Sequence, residues 1–144
     1  MNERKAQGIS DEVGATASPI DIDIPMAEYG NGVRTELVGV DLTKNPPEWA
    51  QFASVIDEFL TSHLFGDIFA RDVLTYQQRE LATIGVLVAL DGVESQLGSH
   101  LFMSLKVSIT PEQLYEFVAL VDDNFGSQKA NMAKAILDQI LSTN

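Results

Sequence analysis

Apolar residues recur along most of the chain at spacings of three and four, which is the period of an amphipathic α-helix. The clearest stripes, in the last third of the chain, consist of Leu114, Phe117, Val118, Val121, Ala133, Ile136, Leu137, Ile140 and Leu141. A period of two, expected of a strand, is convincing nowhere, and IDIDI at residues 20–24 is the single short candidate. The pattern therefore predicts an all-α protein.

The helical period is missing at the start of the chain. Residues 1–24 mix Gly, Ala, Ser, Asp and Pro, so we interpret them as a flexible or surface-draped leader. Residues 25–144 are then predicted to form one helical domain, which begins with a helix from Pro25 to about Val38. This length is sufficient to bury a core without disulfides or metals.

A second helix is predicted after NPPEW, with Asn45 as its N-cap and two prolines in its first turn. Its buried face should consist of Trp49, Phe52, Ile56, Phe59 and Leu60. Gly66 is expected to end this helix, and residues 67–70 to add a short turn.

A helical hairpin is predicted in the middle of the chain. TYQQ at residues 75–78 has the spacing of a capping box, and the helix that it starts includes LATIGVLVAL, residues 81–90. Because that segment is apolar nearly all round, it should be buried on most sides. An Asp-Gly turn at residues 91–92 leads into a second helix over residues 93–107. The start signal recurs in TPEQ at residues 110–113.

Three polar side chains fall on facing sides of this hairpin. On a helical wheel, His100 lies on the apolar face of the second helix, and Gln96 lies at the edge of that face. Glu80 and His100 are nearly equidistant from the turn, so their heights differ by roughly 5 Å. A carboxylate facing an imidazole in an apolar pocket can transfer protons. The alternative is a buried histidine that Glu80 satisfies for structural reasons alone.

Composition narrows the chemistry. Cysteine is absent, which excludes disulfides, thiolate metal sites and cysteine nucleophiles. The formal net charge of −12 should repel nucleic acids and anionic membranes, so a small anionic ligand could bind only where the few cations gather. No apolar run approaches the ~20 residues of a membrane span. The N-terminus lacks the apolar region of a signal peptide, so we expect a cytoplasmic protein, or a periplasmic one if an N-terminal segment has been removed.

Residues 64–118 carry an ordered set of short motifs: FGDIFARD, L-T-x-x-x-R-E-L, the Asp-Gly turn, Q-L-x-x-H-L and IT-x-E-Q-L. In order and spacing they resemble the carboxymuconolactone decarboxylase family, which shares its all-helical fold with the D-type alkylhydroperoxidases. The peroxidase branch uses a C-x-x-C-x-x-x-H motif and an upstream glutamate. His100 and Glu80 match that histidine and glutamate, but Val93 and Gln96 stand at the cysteine positions. Thiol peroxidase activity is therefore excluded.

The decarboxylase branch lacks those cysteines, and the resemblance implies a lyase that uses no metal or other cofactor and removes carbon dioxide from a lactone carboxylate. It implies that His100 acts as the acid or electrostatic stabiliser, that Glu80 orients it, and that Gln96 donates to an oxyanion. Arg79 and Arg71 match family arginines that would bind a small carboxylate or lactone.

The chain departs from the family pattern at two positions. Phe69 stands where tryptophan is common. Ser108 replaces a glycine in a turn that is expected to need a positive φ, which serine tolerates poorly. Apart from the family pattern, the helical wheel places Phe102 on the polar side of its helix, roughly opposite His100.

The apolar helix over residues 81–90 must be covered on every side, and subunit packing is one way to cover it. The resemblance implies trimers or hexamers, so we predict a homo-oligomer. Two functions stay open from the sequence. One is a decarboxylase-type lyase acting on a small carboxylate or lactone, and the other is a non-catalytic oligomeric binding or scaffold protein of the same fold.

Overall fold

The computed structural model describes residues 2–12 and 14–143. The helices are α1 Asn2–Ala6, α2 Met26–Val38, α3 Glu48–Phe52, α4 Ser54–Phe59, a π-helix Leu60–Phe69, α5 Tyr76–Ala89, α6 Glu94–Lys106, α7 Pro111–Phe125 and α8 Ser127–Thr143. The described residues contain no strand, and residues 20–24 form an irregular segment, so the all-α prediction is confirmed. None of the helices in this part of the chain is long and apolar enough to cross a membrane.

Residues 17–20 of the N-terminal segment line a groove on the surface of the helical domain. After α1 the chain is irregular, and the Ser18 backbone N–H donates to Asp72 Oδ1 at 3.0 Å. This contact attaches part of the predicted leader to the loop before α5. Met1 and Val13, which belong to the same leader, lie outside the described residues.

Local capping signals place the hairpin helices where the sequence predicts them. The Thr75 hydroxyl accepts the Gln78 backbone N–H, and the Gln78 side chain accepts the Thr75 backbone N–H, which starts α5. Thr110 and Gln113 make the same reciprocal pair at the start of α7. Gly92, between α5 and α6, has φ 76°, a left-handed conformation that glycine adopts without strain.

Two apolar clusters hold the helices together. The larger one joins α5, α6, α7 and α8, and its fully buried members include Ile84, Val88, Leu101, Leu114, Ala133 and Leu137. The smaller one joins α2, the π-helix and α6, and its buried members are Val33, Leu37, Phe65, Phe69 and Met103. Because α6 contributes to both clusters, its side chains lie at the boundary between the two parts of the core.

The helix predicted after residue 45 differs from the structure in three respects. It begins at Glu48 after Pro47, so the Asn45 cap is wrong, and Ala53, with φ −127° and ψ 64°, divides it into α3 and α4. Because a non-helical residue changes the direction of the helix, the predicted stripe does not form one buried face. Most of its side chains are instead exposed, with fractions of 46% for Trp49, 94% for Phe52, 53% for Ile56 and 67% for Phe59.

Gly66 does not end a helix, as the sequence suggested, but is buried inside the π-helix. A methyl group on Gly66 would lie 2.7 Å from the Met26 sulfur, and one on Gly30 would meet the carbonyl oxygen of Thr61. These glycines therefore permit α2 and the π-helix to pack closely. The expected separate turn at residues 67–70 is absorbed into this long helical segment, which ends at Phe69.

Within one chain, α5 is covered on one side only. Ile84 and Val88 are fully buried, whereas Leu81, Val86 and Leu90 are substantially exposed. The contacts of α5 are with α6 and, less extensively, α8, and its opposite side has no comparable cover among the described helices. The prediction that this helix is buried on most sides is therefore wrong for the single chain.

Candidate functional site

The hairpin brings a carboxylate and an imidazole into contact. Glu80 Oε2, on α5, lies 2.8 Å from His100 Nδ1, on α6. The Glu80 side chain is fully buried, and the His100 side chain is 13% exposed. Both groups stand on regular helices joined by a short turn, which fixes their relative position better than loops would. The contact expected from the spacing is therefore present.

The contact determines which ring atom can meet a ligand. Because His100 Nδ1 faces Glu80, Nε2 is the nitrogen left for other partners. The second carboxylate oxygen, Glu80 Oε1, is buried and has no hydrogen-bond partner among the described residues. Buried polar atoms are usually satisfied, and this oxygen is an exception.

His100 lines a cavity of about 780 Å³, a volume typical of small-ligand sites. The cavity lies between α6 on one side and α2, α3, α4 and the π-helix on the other. Its apolar lining consists of Val38, Leu42, Pro47, Trp49, Ile56, Leu60, Leu64, Phe65, Phe102 and Met103. A mostly apolar cavity with a few polar groups suits a small organic ligand that is oriented by a small number of hydrogen bonds.

Gln96 lines the same cavity one turn before His100, so its amide can contact a ligand that reaches the imidazole. Phe102 is partly buried in this cavity wall, so the side of α6 that carries it is not the open polar side that the sequence predicted. The cavity extends around more of α6 than one face, since Ser95 and Ser99 line it as well. The helical wheel gave the direction of each side chain on α6, but it could not show how much of the α6 surface the neighbouring helices face.

Neither Arg71 nor Arg79 is among the described residues that line this cavity. Successive helical residues project about 100° apart, so Arg79 points away from the direction of Glu80. Arg79 Nη2 donates to the Arg71 carbonyl oxygen at 2.8 Å. The Arg71 side chain lines a separate surface groove beside His63, whose Nδ1 is 3.0 Å from Asp67 Oδ2. The structure thus brings Glu80, His100 and Gln96 together but leaves the two predicted arginines elsewhere.

A cation that the sequence pattern did not predict lines the cavity. Arg34, on α2, is only 4% exposed, and its Nη1 donates to Asp57 Oδ1 at 2.6 Å. The sequence does indicate that Arg34 is buried, because it stands on the stripe of α2 positions at three- and four-residue spacing. These positions are Gly30, Val33, Arg34 and Leu37. An arginine on the buried stripe of an amphipathic helix needs a partner or a ligand.

A hydrogen-bond network holds the Arg34 guanidinium. Its Nη2 donates to Asn31 Oδ1 at 2.8 Å, and Asn31 Nδ2 donates to Asp41 Oδ1 at 3.4 Å. The Thr43 hydroxyl and backbone N–H both donate to the Asp41 carboxylate and lower the pKa of Asp41 to about 2. Asp41 is therefore a charged acceptor that orients the Asn31 amide, with its oxygen toward Arg34.

Comparison with known proteins agrees with this architecture. The model of the Carboxymuconolactone decarboxylase family matches residues 56–139, a range that contains Glu80, Gln96 and His100. The chain is also similar to the 4-carboxymuconolactone decarboxylase of Acinetobacter baylyi, with 27% identity over 114 residues, covering 78% of this chain and 84% of that protein. Because the family match spans more than half of the sequence, this chain belongs to the carboxymuconolactone decarboxylase family.

Proposed function

We propose that this chain is a cofactor-free lyase of the decarboxylase type, which acts on a small carboxylate or lactone through His100 and Glu80. The observation that carries the proposal is the 2.8 Å contact between His100 Nδ1 and the buried Glu80, on the wall of a cavity of ligand size. The similarity to a 4-carboxymuconolactone decarboxylase supports the reaction class and suggests that lactone as the first substrate to test.

The proposed reaction replaces a carboxylate by a proton. The bond between the carboxylate carbon and the ring carbon breaks, its electron pair passes into the conjugated lactone as an enolate, and carbon dioxide leaves. The imidazolium Nε2–H of His100 then gives its proton to carbon, and solvent returns a proton to the imidazole. Glu80 holds the ring in position and stabilises its charged form during this exchange.

Two features of the cavity support such a reaction. The Gln96 amide can donate to the enolate oxygen as negative charge develops there. The mostly apolar lining lowers the local polarity, which strengthens hydrogen bonds to the enolate.

We further propose that the chain forms a homo-oligomer, a trimer or a hexamer. The exposed apolar side chains on α3, α4 and α5 support association, because contiguous apolar surfaces on soluble proteins usually mark contacts. The same surfaces support the competing proposal of a non-catalytic scaffold, which makes the catalytic test decisive.

Replacing His100 by Ala should reduce carbon dioxide release from 4-carboxymuconolactone by about 10²–10⁴-fold, the usual range for loss of a general acid or base, and Glu80→Gln should reduce it by a smaller factor. His63→Ala provides the matched control, since His63 is the chain's other histidine and lines the separate groove. We expect the control to retain wild-type turnover. Circular dichroism should establish that each variant is folded before rates are compared.

Full turnover by a folded His100→Ala protein would exclude the imidazole from the reaction. Absence of carbon dioxide release by the wild-type protein, with either the lactone or related small carboxylates, would favour the scaffold function. Glu80→Gln is the milder of the two changes, because an amide keeps the shape of the carboxylate and can still accept from His100 Nδ1–H.

A further inference from the structure

Among the described residues that line the His100 cavity, Arg34 is the one with a permanent charge. None of the lining residues is Asp or Glu, although the whole chain carries 21 acidic residues against nine basic ones. The lining is therefore less acidic than the rest of this molecule, while Asp57, which ion-pairs with Arg34, is not among the lining residues. A small anion that is repelled elsewhere can approach a buried guanidinium here.

The guanidinium is positioned but its donors are not all used. Asp57 and Asn31 accept from its two terminal nitrogens, whereas Nε is buried and has no acceptor among the described residues. Guanidinium can only donate, so the missing partner must be an acceptor. In a cavity where the other walls are mostly apolar, a carboxylate oxygen of the ligand is the acceptor that also matches the charge.

The electrostatics of decarboxylation indicate which carboxylate this is. A cation beside the departing carboxylate would stabilise the substrate more than the transition state, because that negative charge moves into the ring as carbon dioxide forms. A cation beside a carboxylate that is retained binds both states alike and orients the molecule. Arg34 is thus better suited to a carboxylate that does not react.

Building on the proposed lyase function, we infer that Arg34 is the specificity-determining residue of the site and binds a retained carboxylate of the substrate. In 4-carboxymuconolactone, the substrate of the proposed function, Arg34 binds the retained carboxylate while the other carboxylate leaves next to His100. Asp57 and Asn31 are positioning residues, because they accept from the guanidinium and are not among the residues that line the cavity.

Binding of muconolactone is measured by calorimetry. This lactone has the carboxylate that the reaction retains and lacks the one that leaves as carbon dioxide. We expect Arg34→Gln to weaken this binding about 10- to 100-fold, the effect of removing a charge-assisted hydrogen bond. The methyl ester of muconolactone should bind the wild type and Arg34→Gln equally. Arg71→Gln, which removes the same charge from the separate groove, should leave the affinity for muconolactone unchanged.

Arg34→Gln leaves Asp57 without its partner, so folding is controlled with the double variant Arg34→Gln/Asp57→Asn, which should show the same loss of affinity. Arg34→Lys keeps the charge but not the fork of donors, and we expect an intermediate affinity. In steady-state assays with 4-carboxymuconolactone, Arg34→Gln should raise KM by a larger factor than it lowers kcat, which a purely structural role would not predict.

Equal affinity of wild type and folded Arg34→Gln for muconolactone would overturn the inference, as would equal binding of the acid and its ester by the wild type. A loss of affinity in Arg71→Gln alone would assign the carboxylate to the other groove and overturn it too. Failure of the proposed reaction has a different result: the wild type would bind muconolactone through Arg34 but release no carbon dioxide from 4-carboxymuconolactone.

Discussion

Ser108, between α6 and α7, has φ 71°, in the left-handed region where a Cβ atom is unfavourable. Its N–H donates to the Leu105 carbonyl oxygen at 3.1 Å, and the Ile109 N–H donates to the Ser104 carbonyl oxygen at 3.0 Å. These two bonds form a Schellman motif, in which the left-handed position is usually glycine. The positive φ expected from the sequence at this residue is confirmed.

Ser108→Gly should therefore increase the free energy of unfolding by about 0.5–1 kcal/mol, because it removes the strain of a Cβ atom at positive φ. The larger entropy of glycine in the unfolded chain offsets only part of this gain. Chemical denaturation gives the measurement. Ser99→Gly is the matched control, since Ser99 is exposed within α6, and glycine there should lower stability by a similar amount. Destabilisation by both substitutions would contradict the argument.

At the scale of secondary-structure elements, the contact between α2 and the π-helix positions the cavity wall. α2 carries Arg34, and the π-helix contributes Leu60, Leu64 and Phe65 to the same cavity. The two helices approach at Gly30, where a side chain would collide with backbone atoms that cannot rotate aside. The geometry of this part of the site thus depends on a glycine outside the cavity.

Gly30→Ala should lower the free energy of unfolding by about 3 kcal/mol or more, because the added methyl group meets backbone atoms. This loss is at or above the largest usual cost of inserting a methyl group into a packed core. Gly32→Ala on the same helix has open space around the new methyl group and should stabilise by up to about 1 kcal/mol. Thermal or urea unfolding of the two variants provides the comparison. Similar stabilities for both would show that the close approach is absent in solution.

At the scale of the whole molecule, two groups of exposed apolar side chains lie on α3–α4 and on α5 within the described part of the chain. One consists of the α3–α4 side chains Trp49, Phe52, Val55, Ile56 and Phe59, and the other of the α5 side chains Leu81, Val86 and Leu90. Trp49 and Ile56 also line the cavity, so a subunit that covered the first surface would come close to the site. Association of this kind would reduce access of water to the ligand.

Light scattering after size-exclusion chromatography should give a mass of at least three times the chain mass of 15.7 kDa. Phe52→Ser combined with Phe59→Ser tests the first surface, and Leu81→Ser combined with Val86→Ser tests the second. A reduced mass identifies the surface that forms subunit contacts, because exposed apolar area drives association. A wild-type monomer at micromolar concentration would contradict the predicted oligomer.

Local sequence determined much of this protein. The capping boxes at Thr75 and Thr110, the glycine turn at Gly92 and the apolar period together define the hairpin and the helices around it, because each depends on residues that are neighbours in the chain. The contact of Glu80 with His100 follows from the same information, since a short turn and a regular helical rise determine which side chains are at equal height.

Tertiary structure alone decided the rest. The sequence could not show that Ala53 divides α3 from α4, that Gly66 serves packing, or that the apolar residues of α4 and α5 stay exposed in one chain. It also could not show that Arg34, rather than Arg71, shares the cavity with the imidazole. These outcomes depend on which surfaces meet across distant parts of the chain, and the free energy of such contacts is not encoded in the helical period of any one segment.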